Sequence, residues 1–430
     1  MKIYALPITA TVALLSAPVS AAELTPMEQL GRDLFFDADL SLNGNQPCAF
    51  CHDPGMGFSS PHGHFNESGA VVEGSVPGLF GSRKPPSAAY ASPAPVFHHT
   101  IEDGDYLFVG GAFVDGRATG HQLGNAAADQ AMGPPLNPVE MAMPHQACVV
   151  RAVCEGEKED KYAVSLSDVW GAGICDIAFP AALAESCGTP GADIVVEDEE
   201  LAEKIETAFA MIGLSLGAFE ASAEVNRFSS RYDRYLSGTD TLSALELQGL
   251  ELFEGKALCA ECHVTSPGPR GEPALLTDFT YDNLGVPRNP ENPIYTQPDN
   301  PDGLAFADLG LGVFLRSDPL YRTVAASQDG KFKVPTLRNV DARLYPEMPK
   351  AFMHNGYFKT LEGVVKFYNK RDVWPRCDSD MVTEAEALEK QCWPGPEVAA
   401  NVNADELGDL KLTDAEELAL VAFMQTLTDE

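Results

Sequence analysis

A mainly α-helical chain of two similar halves joined by long loops is what three features of the sequence predict. The stretch from Leu24 to Phe35 recurs as Leu242 to Phe253, each copy leads into a Cys-x-x-Cys-His unit, and no alternating strand pattern extends beyond short pieces.

The first 22 residues read as an export leader: Lys2 is followed by an apolar run to about Leu15 and by the small residues Ser20-Ala21-Ala22. That run is too short to span a bilayer, and no later segment approaches the ~20 apolar residues a membrane helix needs. The expectation is a periplasmic or secreted protein with no membrane span, with a first domain over residues 23–235 and a second over 236–430.

Each repeat opens with a hydroxyl residue followed three places later by glutamate, Thr25/Glu28 and Ser243/Glu246, the pattern that satisfies free backbone donors of a helix's first turn. A third such pair, Thr413/Glu416, opens an amphipathic segment over residues 412–427, and a comparable closing helix for the first half runs from about Leu201 to Ala221. The Pro- and Gly-rich stretches over residues 268–273 and 287–301 predict long ordered loops.

A net charge of −34 makes nucleic acid an unsuitable partner and favours a cationic protein, although it also serves plain solubility. Six of the ten cysteines, Cys148, Cys154, Cys175, Cys187, Cys377 and Cys392, lie outside the repeated motifs and suit three disulfides in an oxidising compartment, Cys377 with Cys392 first because both lie in one loop.

Cys48, Cys51 and His52, then Cys259, Cys262 and His263, carry the chemistry. Two thiols at this spacing reach the two vinyl groups of one haem, and the adjacent histidine supplies an axial nitrogen to iron. A zinc site would want four ligands from paired motifs, and a redox dithiol needs no trailing histidine. The fold class becomes two cytochrome c-like haem domains with long loops, carrying two covalently bound c-type haems.

A haem that reacts with peroxide keeps one face free and surrounds it with acid and base groups. The segment from Phe113 to Ala118, followed by Gln130 to Met141, has that composition. Glu140 follows three prolines among apolar residues, where its proton affinity rises, and Gln130 is placed to hold a bound oxygen. Taken alone, a glutamate at a Pro-rich turn also reads as a helix cap.

These residues resemble the bacterial di-haem cytochrome c peroxidase and MauG family: the two Cys-x-x-Cys-His units, Asp115-Gly116-Arg117, the run from Gln130 to Met141, and Val334 to Val340 leading to Met353-His354-Asn355-Gly356. The resemblance implies that the N-terminal haem meets hydrogen peroxide, with Gln130, Pro134 and Glu140 on its distal side. It also implies a second axial ligand fourteen residues beyond the histidine of His-Asn-Gly, methionine in the ordinary peroxidases and tyrosine in MauG. From His354 that count reaches Tyr368, the MauG-like choice, whose plain alternative is a packed core tyrosine. A phenolate favours the more oxidised states of iron and a thioether the reduced one. The implied activity is peroxide-dependent oxidation of a protein or other external donor; peroxide removal with a small cytochrome or cupredoxin donor, and non-catalytic electron transfer, are its rivals.

The chain departs from the family at Val114, at Lys84 and in six extra residues between Asp115-Gly116-Arg117 and Gln130. Val114 stands where a tryptophan is common between the haems, so Phe113 or Tyr90 is expected in the gap. Lys84 aligns with an asparagine of the family's interdomain calcium site, which leaves calcium only an open addition to the two haems. His62 and His64 follow His52 near where the family carries a histidine that blocks the reactive iron, and both are read as loop residues with that ligation as the alternative.

Overall fold

The computed structural model describes residues 23–155 and 159–430, so the export leader expected over residues 1–22 lies outside the described residues. All three expected capping pairs form reciprocal bonds, at the starts of helices Pro26–Phe35, Ala244–Glu254 and Asp414–Gln425. The closing helix of the first half is Glu199–Ala221, started by the Asp198 side chain, which accepts from the Glu200 and Leu201 amides.

Each repeat helix packs on its closing helix, Pro26–Phe35 on Glu199–Ala221 and Ala244–Glu254 on Asp414–Gln425. The crossing uses the same residue of each copy, Gly31 and Gly249, where no side chain holds the backbones apart. One turn further, Phe35 meets Phe219 edge to face with ring centroids 5.2 Å apart, and Phe253 meets Phe423 at the same 5.2 Å. The duplication is therefore a duplication of packing. Around these pairs lie two cores, one holding Leu34, Ile212 and Phe219, the other Phe367, Trp393 and Phe423. The helix Arg231–Leu236 spans the boundary expected at residues 235/236, and its Tyr232 belongs to the second core.

One element was not expected. Residues 98–109 form an antiparallel hairpin, His98–Glu102 with Asp105–Val109, turning at Asp103-Gly104 with φ of +50° and +95°. Asp-Gly between apolar runs is a strong short-range hairpin signal, masked here because Tyr106, Leu107, Phe108 and Val109 run on without alternation. Its Phe108 joins Phe97, Tyr281, Leu311 and Tyr321 in a third apolar cluster drawn from both halves.

The loop over residues 287–301 is ordered, as expected. The Asn289 amide donates to Ser68 O and Asn355 O, and the Asn292 amide to Ser82 O at 2.7 Å, stitching the halves together. Arg83 adds a bidentate pair with Asp308 and a 2.6 Å bond to Asp115. Three disulfides form: Cys148–Cys187, Cys154–Cys175 and the expected Cys377–Cys392. Among the described residues, no helix is long and apolar enough to cross a membrane.

Candidate functional site

Cys48–Cys51 forms one helical turn after Pro47, and His52 follows it; Cys259–Glu261 forms the matching turn before Cys262 and His263. All four cysteines are unbridged. Burial pushes the Cys48, Cys259 and Cys262 thiols up to about 12, the reverse of the depressed values that mark redox dithiols. Among the described residues, no group of three or more His, Cys, Asp or Glu side chains is arranged to hold a metal ion, so the zinc alternative has no donor set.

The two histidines are held alike. His52 Nδ1 lies 3.2 Å from Phe58 O, and His263 Nδ1 lies 2.9 Å from Leu276 O. Both carbonyls belong to residues in the left-handed region, Phe58 at φ +58° and Leu276 at +53°, conformations that side-chain-bearing residues adopt at a cost and keep where the surroundings demand it. Burial lowers the proton affinity of both imidazoles and so favours the neutral, metal-binding form. A carbonyl on Nδ1 fixes the ring and points Nε2 the other way, the support that ligating histidines generally have.

The residues behind these histidines are also duplicated, at a level the sequence hid. Ser87 Oγ donates to Gly57 O at 2.6 Å, and Thr336 Oγ1 donates to Leu275 O at 2.7 Å. Just before them, the Lys84 amide donates to His354 O and the Lys333 amide to Val114 O, both at 2.8 Å. Each half thus reaches behind its own histidine into the other half, and Val114 and His354 occupy matched places. Burial pushes the Lys84 and Lys333 ammoniums down to about 8. Lys84 Nζ donates to Pro85 O at 3.0 Å.

In the first half, Gln130 lies on the last turn of helix Ala126–Ala131, half-buried. The chain then winds tightly: the Gly133 amide donates to Gln130 O, Glu140's to Asn137 O and Met141's to Pro134 O, so Gln130, Pro134 and Glu140 belong to one folded segment. Burial raises the proton affinity of the Glu140 carboxyl, with Arg117 and Asn137 pulling it back. Its charge in turn raises both the Cys48 and Cys51 thiols.

In the second half, Tyr368 lies on helix Leu361–Lys370, opened by Thr360, and packs against the second core. Burial, then Cys259 and Asp282, push its phenol well above the usual range. Asp282, which sequence reasoning missed, also raises Cys262. Counted from the N-caps Asn125 and Thr360, Gly133 and Tyr368 both stand eight residues on. Tyr368 lies inside its helix, whereas Gly133 lies beyond the end of helix Ala126–Ala131, at the start of the 3₁₀ turn Pro134–Leu136 and against the Phe113 ring.

The two residues expected in the gap make different contacts. Phe113 is covered by the Arg117 guanidinium at 3.6 Å from its ring centre and approaches Gly133. Tyr90 Oη instead donates to Asp429 at 2.6 Å, at the seam between the halves. His62 Nε2 lies 2.8 Å from Phe50 O, and His64 packs against Phe65, so His62 is engaged by the first motif's own backbone.

A family model described as di-haem cytochrome c peroxidase matches residues 25–241. The methylamine utilization protein MauG of Paracoccus denitrificans is 33% identical over 93% of this chain and 88% of its own length. The cytochrome c551 peroxidase of Nitrosomonas europaea is 26% identical over 87% of this chain and 82% of its own. Among solved structures, the diheme peroxidase BthA of Burkholderia thailandensis superposes with a TM-score of 0.68 at 28% identity, covering 95% of this chain and 90% of BthA. With a duplicated motif, matched histidines and relatives spanning nearly its whole length, this chain belongs to the MauG-like di-haem cytochrome c peroxidase family and is an oxidoreductase that acts on peroxide.

Proposed function

We propose that the protein is an exported, periplasmic enzyme of two cytochrome c-like domains, residues 23–235 and 236–430, that uses hydrogen peroxide to oxidise a protein or other external donor in the manner of MauG. Cys48 and Cys51 hold one haem covalently with His52 as axial ligand, and Cys259 and Cys262 hold the other with His263 and Tyr368 as axial ligands. The donor set fits: four half-buried, unbridged thiols stand beside two imidazoles whose Nδ1 atoms already face backbone carbonyls. Bound there, haem supplies one-electron redox chemistry and, on a free face, a place for peroxide.

The observation that carries the reading is the Tyr368 phenol, held on helix Leu361–Lys370 against the second core. On the distal side of the first haem, Glu140 holds a proton because its site is buried, and passes it between peroxide oxygens. Gln130 orients the peroxide by hydrogen bonding. Arg117 keeps the Glu140 carboxyl from becoming too weak an acid to release that proton. His64 lies in the short helix Gly63–Asn66 with His62 at its N-cap, not in the loop expected for them; neither binds iron in this reading, and calcium is not required, since an ammonium from Lys84 sits at the seam.

The likeness to the cytochrome c551 peroxidase supports a second reading, removal of peroxide with a small redox protein as donor. Tyr368 favours the first, because a phenolate at the second haem opposes its use as an electron reservoir. The test is the resting absorption spectrum together with Glu140→Gln. The proposal expects a high-spin ferric component that disappears on adding peroxide, and a peroxide step slowed by roughly 10²–10⁴-fold in the variant. Two low-spin, six-coordinate haems in both redox states would overturn it, and an unchanged rate would remove Glu140 from the mechanism.

A further inference from the structure

The unexpected hairpin lies over the third apolar cluster, and that cluster is a run of rings. Across the hairpin His99 stands opposite Phe108, and Ile101 opposite Tyr106. Tyr321 packs edge to face on His99, Phe108 and Phe97, with centroids 5.4, 5.1 and 6.2 Å away, and its hydroxyl lies 3.1 Å from His99 Nδ1. Phe97 in turn meets Tyr281 at 6.1 Å. Tyr281 is in strand Tyr281–Asp282, and its hydroxyl donates to Gly110 O at 2.5 Å. The next residue, Asp282, is the one whose charge acts on Cys262 and Tyr368. The rings therefore form one packed run from Tyr281, in the second half, to the hairpin.

We propose that Tyr321, paired with His99, is a redox-active tyrosine at which a cationic one-electron donor too large for the haem pockets is oxidised, with Phe97 and Tyr281 as the inward connection. This rests on the peroxide-driven function above. Oxidising a phenol at neutral pH requires a base for its proton. Tyr281 has only a backbone carbonyl, so it cannot hold the oxidised state. Tyr321 has an imidazole, which accepts at Nδ1 in the tautomer that carries its proton on Nε2.

The balance is simple. Tyr321 gives one electron inward to the peroxide-oxidised centre and its proton to His99 Nδ1; the external donor returns the electron, and His99 returns the proton. Two such events supply the two electrons needed, with two protons from solvent, to reduce one hydrogen peroxide to two waters. Tyr106 is 36% exposed and lies beside His99 with ring centroids 4.9 Å apart, bringing the pair to the surface. The exposed turn carries Glu102, Asp103 and Asp105, which steer a cationic donor to this face.

The test is freeze-quench electron paramagnetic resonance of the haem-loaded protein mixed with peroxide, alongside its oxidation of a basic ferrocytochrome c. A tyrosyl signal is expected in the parent protein, lost in Tyr321→Phe, altered in His99→Gln and retained in Tyr235→Phe; ferrocytochrome c oxidation slows in Tyr321→Phe while the haem spectrum still responds to peroxide at the parent rate. If that spectrum does not respond even in the parent protein, the underlying function fails. If it responds but no tyrosyl signal forms, or the signal and the ferrocytochrome rate survive in Tyr321→Phe, this inference is overturned.

Discussion

Gly31 lies directly beneath the Ser215 carbonyl: a Cβ built on it would stand 1.8 Å from that oxygen. Gly249 repeats the relationship, with a Cβ 2.0 Å from Ala419 O. Backbone on both sides leaves nothing flexible to yield, so Gly31→Ala and Gly249→Ala must push two helices apart. Each substitution is expected to cost at least the ~1–3 kcal/mol typical of overpacking, read as a lower thermal midpoint. An unchanged midpoint would show that the helices do not cross there.

These glycines show what the sequence could reveal. The repeat helices, their caps and the Cys-x-x-Cys-His units were readable because each is encoded within a dozen residues. The Gln130 to Glu140 segment and Tyr368 were reachable through the family's spacing, not through periodicity. Asp282 was not, since its closeness to Tyr368 is set by folding across a wide sequence gap. The second level of duplication was hidden too: residues 84–87 and 333–336 share only a lysine, a proline and a hydroxyl, and what is repeated is the backbone bonding behind each histidine.

Glu220 gives the first core an unusual titration. It lies in helix Glu199–Ala221, 6% exposed, and burial alone raises its carboxyl from 4.5 to about 8. The folded state therefore holds a proton that the unfolded chain releases above pH 4.5. The stability linked to Glu220 is full below that pH and is lost as pH rises through about 8. Glu220→Gln keeps the shape and removes the titration. Thermal melts should show the parent protein losing midpoint relative to the variant between pH 4.5 and 8; parallel curves would show the carboxyl to be solvated.

The Cys377–Cys392 disulfide braces the platform under Tyr368. Trp393, next to the bridge, is fully buried, stacks on Trp374 at 5.4 Å and meets Phe367 at 5.2 Å, one residue before Tyr368. The bridge closes 15 residues of chain, a span for which loss costs about 3 kcal/mol. Replacing both cysteines by serine should lower the thermal midpoint and disturb the second haem's absorption while leaving the first haem's unchanged. An undisturbed second haem would separate the bridge from the site.

Tyr368 carries the last prediction because its surroundings demand a cation. Burial, Cys259 and Asp282 all favour the neutral phenol, and Arg371 only partly offsets them. Such a phenol releases its proton only when a positive centre faces the oxygen, as metal coordination provides. Coordinated to iron, the phenolate would stabilise the oxidised form, whereas a thioether favours the reduced one. Tyr368→Met should therefore raise the potential of the second haem, and Tyr368→Phe should give it a high-spin ferric spectrum by removing the ligand without replacing it. Potentiometric titration separates the cases: if neither substitution moves the second haem's potential or spin state, Tyr368 is a core residue and no iron ligand.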